Sequence, residues 1–109
     1  MNTAKERILA NYQLQEGTFY YDFVEKAVFH TDKFLTFLDD IYAVTNECAE
    51  KSLDRELVIA LNAIQAYVFE SCMYHAQEHD AYEIECYPGD QNMTLYLDAL
   101  KDIVACFFR

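Results

Sequence analysis

The sequence predicts an all-α protein, a single compact bundle of four to five antiparallel helices in one domain, 1–109. Apolar residues recur with helical spacing along most of the chain. Two Gly and one Pro leave few places for turns, and no two neighbouring segments alternate as paired strands do. With 53% apolar residues in 109 positions, we expect one folded core rather than a disordered chain.

The first helix is predicted to begin near Ala4, because Thr3 and Glu6 have the spacing of a capping box. Gly17 ends the segment and Thr18 can cap the next helix. The apolar stripe of the first helix is formed by Ile8, Leu9, Tyr12 and Leu14.

A long helical pattern starts at Phe19. It fits either one bent helix or two helices that meet. Because the step from Ala27 to Phe34 holds His30 and Thr31, and Thr31 is β-branched and a good cap, we favour a break near His30. One broad apolar face is predicted from Tyr20, Phe23, Val24, Ala27, Phe34, Leu38, Ile41 and Tyr42.

The next helix is predicted to be capped by Ser52, with Asp54 and Glu56 in its first turn, and to end near His79 or Asp80. Its main apolar stripe is Leu57, Leu61, Ile64, Val68 and Cys72. Further apolar positions cover much of the remaining surface: Ile59, Ala63, Ala66, Tyr67 and Met73. A helix that is apolar nearly all round is buried, so we expect this one at the centre.

A short extended segment is predicted near 81–87, where apolar residues alternate with Glu83 and Glu85. The pair Pro88-Gly89 predicts a type II turn. Asp90 or Asn92 is expected to cap the last helix. The apolar face of that helix is Met93, Tyr96, Leu97, Leu100, Ile103, Val104 and Phe107.

The charge balance indicates a basic protein as partner. The net charge is −11, from 19 acidic and 8 basic residues, and direct binding of nucleic acid needs a basic surface. Acids concentrate where helical periodicity stops, and tyrosines suited to contact surfaces lie among them. The predicted partner-binding residues are Glu78, Asp80, Tyr82, Glu83, Glu85, Tyr87 and Asp90, with Asp39 and Asp40 in a second acidic run. A plain solubilising surface is the alternative.

His75, Glu78 and His79 form the pattern H-x-x-E-H, with Cys72 one turn earlier. The spacing is that of an inverted zinc-peptidase motif, and Cys72, His75 and His79 could also hold a structural metal with Cys86. Such peptidases need another acidic ligand from a much larger fold. A third interpretation is an exposed helix end, where imidazole suits the helix dipole. We therefore predict no resident metal or other cofactor.

No catalytic residues are predicted, and we expect a protein that is not an enzyme. The carboxylate pairs Asp39-Asp40 and Asp98-Asp102 are expected by chance in so acidic a chain. No Gly-rich turn surrounds Ser52 or Ser71, and two Gly cannot build a phosphate-binding loop.

We expect a cytoplasmic protein that does not associate with membranes. The first residues form an amphipathic helix rather than a signal peptide. No apolar run approaches the ~20 residues that span a bilayer. The four cysteines form no CxxC pair, so reduced and mostly buried thiols are predicted.

A small, acidic, Tyr-rich helical chain without catalytic residues resembles the immunity proteins of bacterial polymorphic toxin systems, including those of contact-dependent growth inhibition. The resemblance implies that the chain neutralises a cognate basic toxin, an RNase or DNase, by covering its active-site groove with an acidic, Tyr-containing surface. Two alternatives stay open. One is a phage-type inhibitor that mimics DNA against a host enzyme, and the other is a helical metal-binding protein that uses Cys72, His75 and His79.

Overall fold

A computed structural model describes residues 3–47, 54–76, 84 and 87–108. Within these ranges the chain is built from α-helices without a β-strand, so the predicted all-α class is confirmed. The helices are α1 (Ala4–Tyr12), α2 (Phe19–Lys26), α3 (Thr31–Glu47), α4 (Arg55–Ala76) and α5 (Asp90–Phe107). Most of the predicted extended segment near 81–87 lies outside the described residues, although Ile84 within it is buried.

Two predicted helix starts are confirmed by their capping hydrogen bonds. The Thr3 Oγ1 accepts from the Glu6 N–H at 3.1 Å, and α1 begins at Ala4. The Thr18 Oγ1 accepts from the Tyr21 N–H at 3.2 Å at the start of α2. Each bond satisfies an amide that has no acceptor within its helix.

The predicted break near His30 is confirmed, and the first of the two helices ends before it, at Lys26. Ala27 follows with a left-handed backbone, φ 54° and ψ 40°. The amides of Ala27 and Val28 both donate to the carbonyl of Asp22. This is the usual way to close a helix end, although Gly is the residue that adopts it without strain.

Two predicted helix starts are wrong in detail. Asp54, predicted to lie in the first turn of α4, takes the capping role instead, because its carboxylate accepts from the Glu56 N–H at 3.0 Å. Ser52 lies outside the described residues. At α5 the cap is Gly89 rather than Asp90 or Asn92, and Asn92 donates to the Pro88 carbonyl instead.

The type II turn predicted at Pro88-Gly89 is also wrong. Gly89 has the expected positive φ of 96°, but its ψ is 154°, whereas the turn needs a ψ of about 0° there. The chain therefore enters α5 through a glycine whose positive φ is combined with a ψ of 154°. The Met93 amide donates to the Gly89 carbonyl at 2.8 Å, which begins the helical ladder.

Helices α3 and α4 each pack against α1 and α5, and α2 packs against α1 and α3. Helices α3 and α5 run in the same direction: Phe34 contacts Tyr96 near their starts, and Tyr42 and Cys106 line one groove further along. The predicted antiparallel order therefore does not describe this pair. Helices α3 and α4 make no comparable contact within the described residues. Helix α5 lies beside α3, although α4 stands between these two helices in the sequence.

Helix α4 is less central than predicted. Its stripe from Leu57 to Cys72 is buried, which confirms the predicted core face. However, Ile59 and Met73 on the opposite side are 48% and 65% exposed. Helix α3 has the more central position, because it packs against α1, α2 and α5.

A cluster of aromatic rings joins the helices. The Phe19 ring centroid lies 5.7 Å from that of Phe23, 5.6 Å from Phe29, 5.1 Å from Phe34 and 6.0 Å from Phe37. Aromatic pairs at these separations stabilise a fold beyond the area that they bury. The cluster joins α2 and the 27–30 connection to α3.

Two tyrosines extend this cluster to the remaining long helices. The Tyr96 ring of α5 stacks on Phe29 at 6.0 Å and meets Phe34 at 5.7 Å. The Tyr67 ring of α4 meets the edges of Tyr20 and Phe23. The aromatic contacts therefore fix the positions of α4 and α5 relative to α2 and α3.

We predict that Ala27→Gly raises the free energy of unfolding by about 0.5–1 kcal/mol, because the left-handed conformation strains alanine and not glycine. Urea unfolding followed by circular dichroism measures the change. Ala43→Gly, inside α3, is the control and should destabilise by about 1 kcal/mol. A loss of stability with Ala27→Gly as large as that of the control would contradict the left-handed conformation.

Candidate partner-binding surface

An ion pair between α1 and α3 uses one of the two carboxylates in the run Asp39-Asp40. The Arg7 Nε donates to both oxygens of Asp40, at 3.0 and 3.1 Å, and its Nη2 donates to Oδ1 at 2.8 Å. Asp40 is 5% exposed, so water has little access to its carboxylate, whereas the Arg7 side chain is 44% exposed. The Asp40 carboxylate therefore holds α1 against α3 and is not a free charge on the surface.

A second buried carboxylate, Asp22, lies beside two lysine ammonium groups and the imidazole of His30 where α2 meets α3. Lys33 donates to Asp22 at 2.8 Å, and His30 Nε2 and Lys26 Nζ lie 3.3 and 3.8 Å from its oxygens. The hydrogen bond from Lys33 lowers the pKa of Asp22 below its ordinary value of 3.8, against the opposing effect of burial, and the charges of Lys33, Lys26 and His30 lower it further. The charged carboxylate is thereby stabilised at neutral pH.

A third pair joins α1 to the start of α4. The Lys5 Nζ lies 2.7 Å from Asp54 Oδ2 and 4.0 Å from Glu56 Oε1. The hydrogen bond from Lys5 lowers the pKa of Asp54. The other two Lys and Arg residues of the described chain are Arg55 and Lys101, and both are exposed.

These pairs leave the described surface strongly acidic. Lys5, Arg7, Lys26 and Lys33 are each directed at a carboxylate of the same chain. The exposed acidic residues include Glu6, Glu16, Glu25, Asp32, Asp39, Asp98 and Asp102. An approaching molecule therefore meets more carboxylates than cations on the described surface.

The sequence-predicted binding residues fall into four groups. Asp39 is exposed on α3, as expected. Asp40 does not fit the prediction of an exposed acidic run, because it is buried against Arg7. Tyr87 is half-buried against the core, and Asp90 begins α5 without a described side chain. The remaining predicted residues lie outside the described part of the chain: Glu78, Asp80, Tyr82, Glu83 and Glu85.

Two exposed stripes lie side by side on α3 and α5, and we call them together the α3/α5 face. On each helix four exposed residues follow at spacings of four, three and four, which places them on one side. The stripe of α3 is Leu35, Asp39, Tyr42 and Asn46. The stripe of α5 is Leu95, Ala99, Asp102 and Cys106.

The α3/α5 face carries large apolar side chains that remain in water. Leu35 is 42% exposed, Tyr42 60% and Leu95 63%. A groove of about 380 Å³ runs between the two stripes. Its lining residues are Tyr42, Thr45, Asn46, Ala99, Asp102, Ile103 and Cys106. Exposed apolar groups around a groove mark a place where another molecule can bury them.

The sequence did not predict a groove between α3 and α5 with exposed apolar residues around it. Tyr42 was predicted on the core face, but it lies more than half in water. Leu95 carried a usable signal, because it stands two residues from Met93 and Leu97 and so falls outside the buried stripe of α5. The contact between α3 and α5 could not be predicted from the sequence, because these helices are far apart in the chain.

The metal-site prediction stays a prediction. Cys72 is buried, and burial raises the pKa of its thiol to about 11, whereas a metal binds the thiolate. The side chain of His75 and all of His79 lie outside the described residues. Among the side chains described there is no cluster of three His, Cys, Asp or Glu with metal-binding geometry.

No protein-family model, curated protein or solved structure matches this chain. Among the described helices, none combines the length and the apolar character needed to cross a bilayer. The free cysteines of the described part are Cys72 and Cys106.

We predict that Asp22→Asn lowers the free energy of unfolding by about 1–2 kcal/mol at pH 7, because the buried carboxylate that pairs with Lys33 is lost. The folded-state pKa of Asp22 lies below 3.8, so its stabilisation is complete above that pH and disappears as the pH falls through the lower folded-state value. Urea unfolding from pH 7 to pH 2.5 should show the two proteins converging in acid. Glu25→Gln, an exposed change on the same helix, should leave stability unchanged at every pH. A constant difference down to pH 2.5 would contradict the role given to the charge of Asp22.

Alkylation should distinguish the two free cysteines of the described part. At pH 8 a thiol of pKa about 11 is roughly one part in a thousand thiolate, so we expect iodoacetamide to modify exposed Cys106 at least tenfold faster than Cys72. Mass spectrometry after digestion at glutamate separates Cys72 from Cys86, which trypsin leaves on one peptide. Equal rates for Cys72 and Cys106 would show that the core side of α4 opens to solvent.

Proposed function

We propose that this protein is an inhibitor of the immunity type, which binds a basic toxin domain with nuclease activity and neutralises it. The observation that carries the proposal is the excess of carboxylates on the described surface, where Glu6, Glu16, Glu25, Asp32, Asp39, Asp98 and Asp102 are exposed. Four of the described cations already have a carboxylate of the same chain beside them, and a net charge of −11 attracts a basic partner.

A nuclease grips phosphates with Lys and Arg side chains, and exposed carboxylates can take the positions that phosphates would occupy. Long-range attraction speeds the encounter between oppositely charged surfaces. Aromatic and apolar side chains supply most of the slow dissociation. The proposed inhibitor therefore acts by occupying the cationic groove, without chemistry of its own.

The proposed contact residues come from both acidic regions. Asp39 is exposed on α3 and Tyr87 is half-buried before α5. The segment with Glu78, Asp80, Tyr82, Glu83 and Glu85 remains a proposal from sequence. Asp40 is excluded from the contact set, because a partner would have to displace Arg7 to reach it.

Affinity capture from the cell of origin, followed by identification of the bound protein, tests this function. We expect a basic protein with nuclease activity, and we expect one equivalent of this chain to abolish that activity. Capture of a host nucleic-acid enzyme would favour the alternative of a DNA mimic. A captured protein that is acidic, or whose activity is unaffected by saturating amounts of this chain, would overturn the proposal.

Charge reversal then tests the sequence-predicted segment. Glu83→Lys with Glu85→Lys should slow association with the captured protein and flatten its dependence on salt. Glu16→Lys with Glu25→Lys changes the net charge equally at exposed positions of the described chain and serves as the matched control. Equal effects of the two double variants would leave general charge, and not the 78–90 segment, as the cause.

A further inference from the structure

We propose that the α3/α5 face is the docking surface of this protein, and that its occupant is an amphipathic helix of the basic partner. The helix would place an apolar ridge in the groove and Lys or Arg on either side of it. This inference rests on the proposed inhibitor function and adds to it the location of the interface and the shape of the recognised segment.

The shape of the face favours a helix over a loop. Helices α3 and α5 run in the same direction, and each presents four exposed residues at the same spacings, from Leu35 to Asn46 and from Leu95 to Cys106. Two parallel rows with a groove between them form the seat into which a ridge of a third helix packs. A docked helix would also bury Leu35, Tyr42 and Leu95, which remain largely exposed in the free protein.

The charges on the face determine what kind of helix fits. Asp102 lines the groove, and Asp39 lies one turn before Tyr42 on the opposite stripe. Neither stripe contains a basic residue. Lys101 is turned by about 100° from Asp102 around α5 and belongs to another side of the helix. The face therefore has an apolar centre between two carboxylates, which is complementary to an apolar ridge flanked by cations.

A second copy of this chain is a poorer occupant. It would bring Asp39 and Asp102 against the same carboxylates, and like charges in an interface oppose association. The exposed apolar residues alone do not distinguish these occupants. The carboxylates do, and they favour a cationic partner.

The groove between α4 and α5 is a competing site. Its volume is about 520 Å³, and among the described residues no carboxylate lines it. Its lining residues are Phe69, Cys72, Met73, Tyr87, Met93, Thr94 and Leu97. The described residues of this groove can bury an apolar group, but none of them is charged and could select a basic partner.

A synthetic helix tests the inference without the natural partner. The probe is a peptide of about 18 residues, or five helical turns, with leucines at spacings of four, three and four, flanked by Lys and Arg. The control peptide replaces each Lys and Arg by Gln. Amide chemical shifts of the labelled protein, followed during titration, should change along Leu35–Asn46 and Leu95–Cys106 for the basic peptide. Shifts confined to other surfaces, or equal affinity for the neutral peptide, would overturn the inference.

Variants separate the apolar and the charged contributions. Tyr42→Ala should weaken binding of the basic peptide roughly tenfold, as loss of a central aromatic contact does. Asp39→Asn with Asp102→Asn should weaken it by about three- to tenfold and reduce its salt dependence. Tyr12→Ala on α1 and Glu16→Gln with Glu25→Gln are the matched controls and should bind as the unaltered protein does. Thermal unfolding of each variant verifies that the fold is retained, and folded α3/α5 variants that bind no more weakly than their controls would count against the inference.

The captured partner distinguishes failure of this inference from failure of the proposed function. If the partner is a basic nuclease that Tyr42→Ala and Asp39→Asn with Asp102→Asn inhibit as well as the unaltered protein does, the docking surface is wrong and the inhibitor function stands. If no basic partner is inhibited at all, the function itself is wrong, and the occupant proposed for the α3/α5 face falls with it.

Discussion

The rings around Phe19 are the contacts on which the arrangement of helices depends. Phe19 touches four phenylalanine rings from α2, the 27–30 connection and α3, and Tyr96 and Tyr67 bring α5 and α4 to the same cluster. Ring pairs have preferred geometries, so they fix positions more tightly than aliphatic contacts do. Tyr96 against Phe34 sets α5 beside α3, and that placement aligns the two exposed stripes across one groove.

Ion pairs of the described chain connect different helices to one another. Arg7 and Asp40 connect α1 to α3, Lys5 and Asp54 connect α1 to α4, and Asp22 with Lys33 connects α2 to α3. Aromatic packing and ion pairing thus hold the same helices in different ways. The cations of these pairs stay partly exposed, and each lies beside a carboxylate of the same chain that offsets its charge.

Much of the fold could be predicted because its signals are local. Thr3 and Thr18 cap helices through bonds to residues three positions away, and the spacing of buried residues in α4 and α5 gave their core faces. The positive φ of Gly89 was predictable, but its ψ of 154° and the left-handed backbone of Ala27 were not, since no residue pattern in the sequence indicates them. Likewise, Ile59 and Met73 are apolar but exposed, because α4 has neighbours on one side.

In the candidate site, too, some features could be predicted from the sequence and others depend on tertiary packing. Asp39 and Asp40 are adjacent and chemically identical, yet a turn of about 100° around α3 puts one in water and the other against Arg7, 33 positions earlier. The acidic character of the surface was predictable from composition. The α3/α5 face was not, since it needs the lateral contact of two helices separated by α4.

The carboxylates of this protein form two populations that respond differently to ionic strength. Asp22 and Asp40 are buried, at 2.8 Å from their cations, where mobile ions screen weakly. The exposed carboxylates act over distances comparable to the Debye length of about 8 Å at physiological salt. Concentrated salt should therefore release a partner held by surface charge while the helices stay assembled. In practical terms, a column carrying this protein could be stripped of its bound partner by a salt wash and used again without refolding.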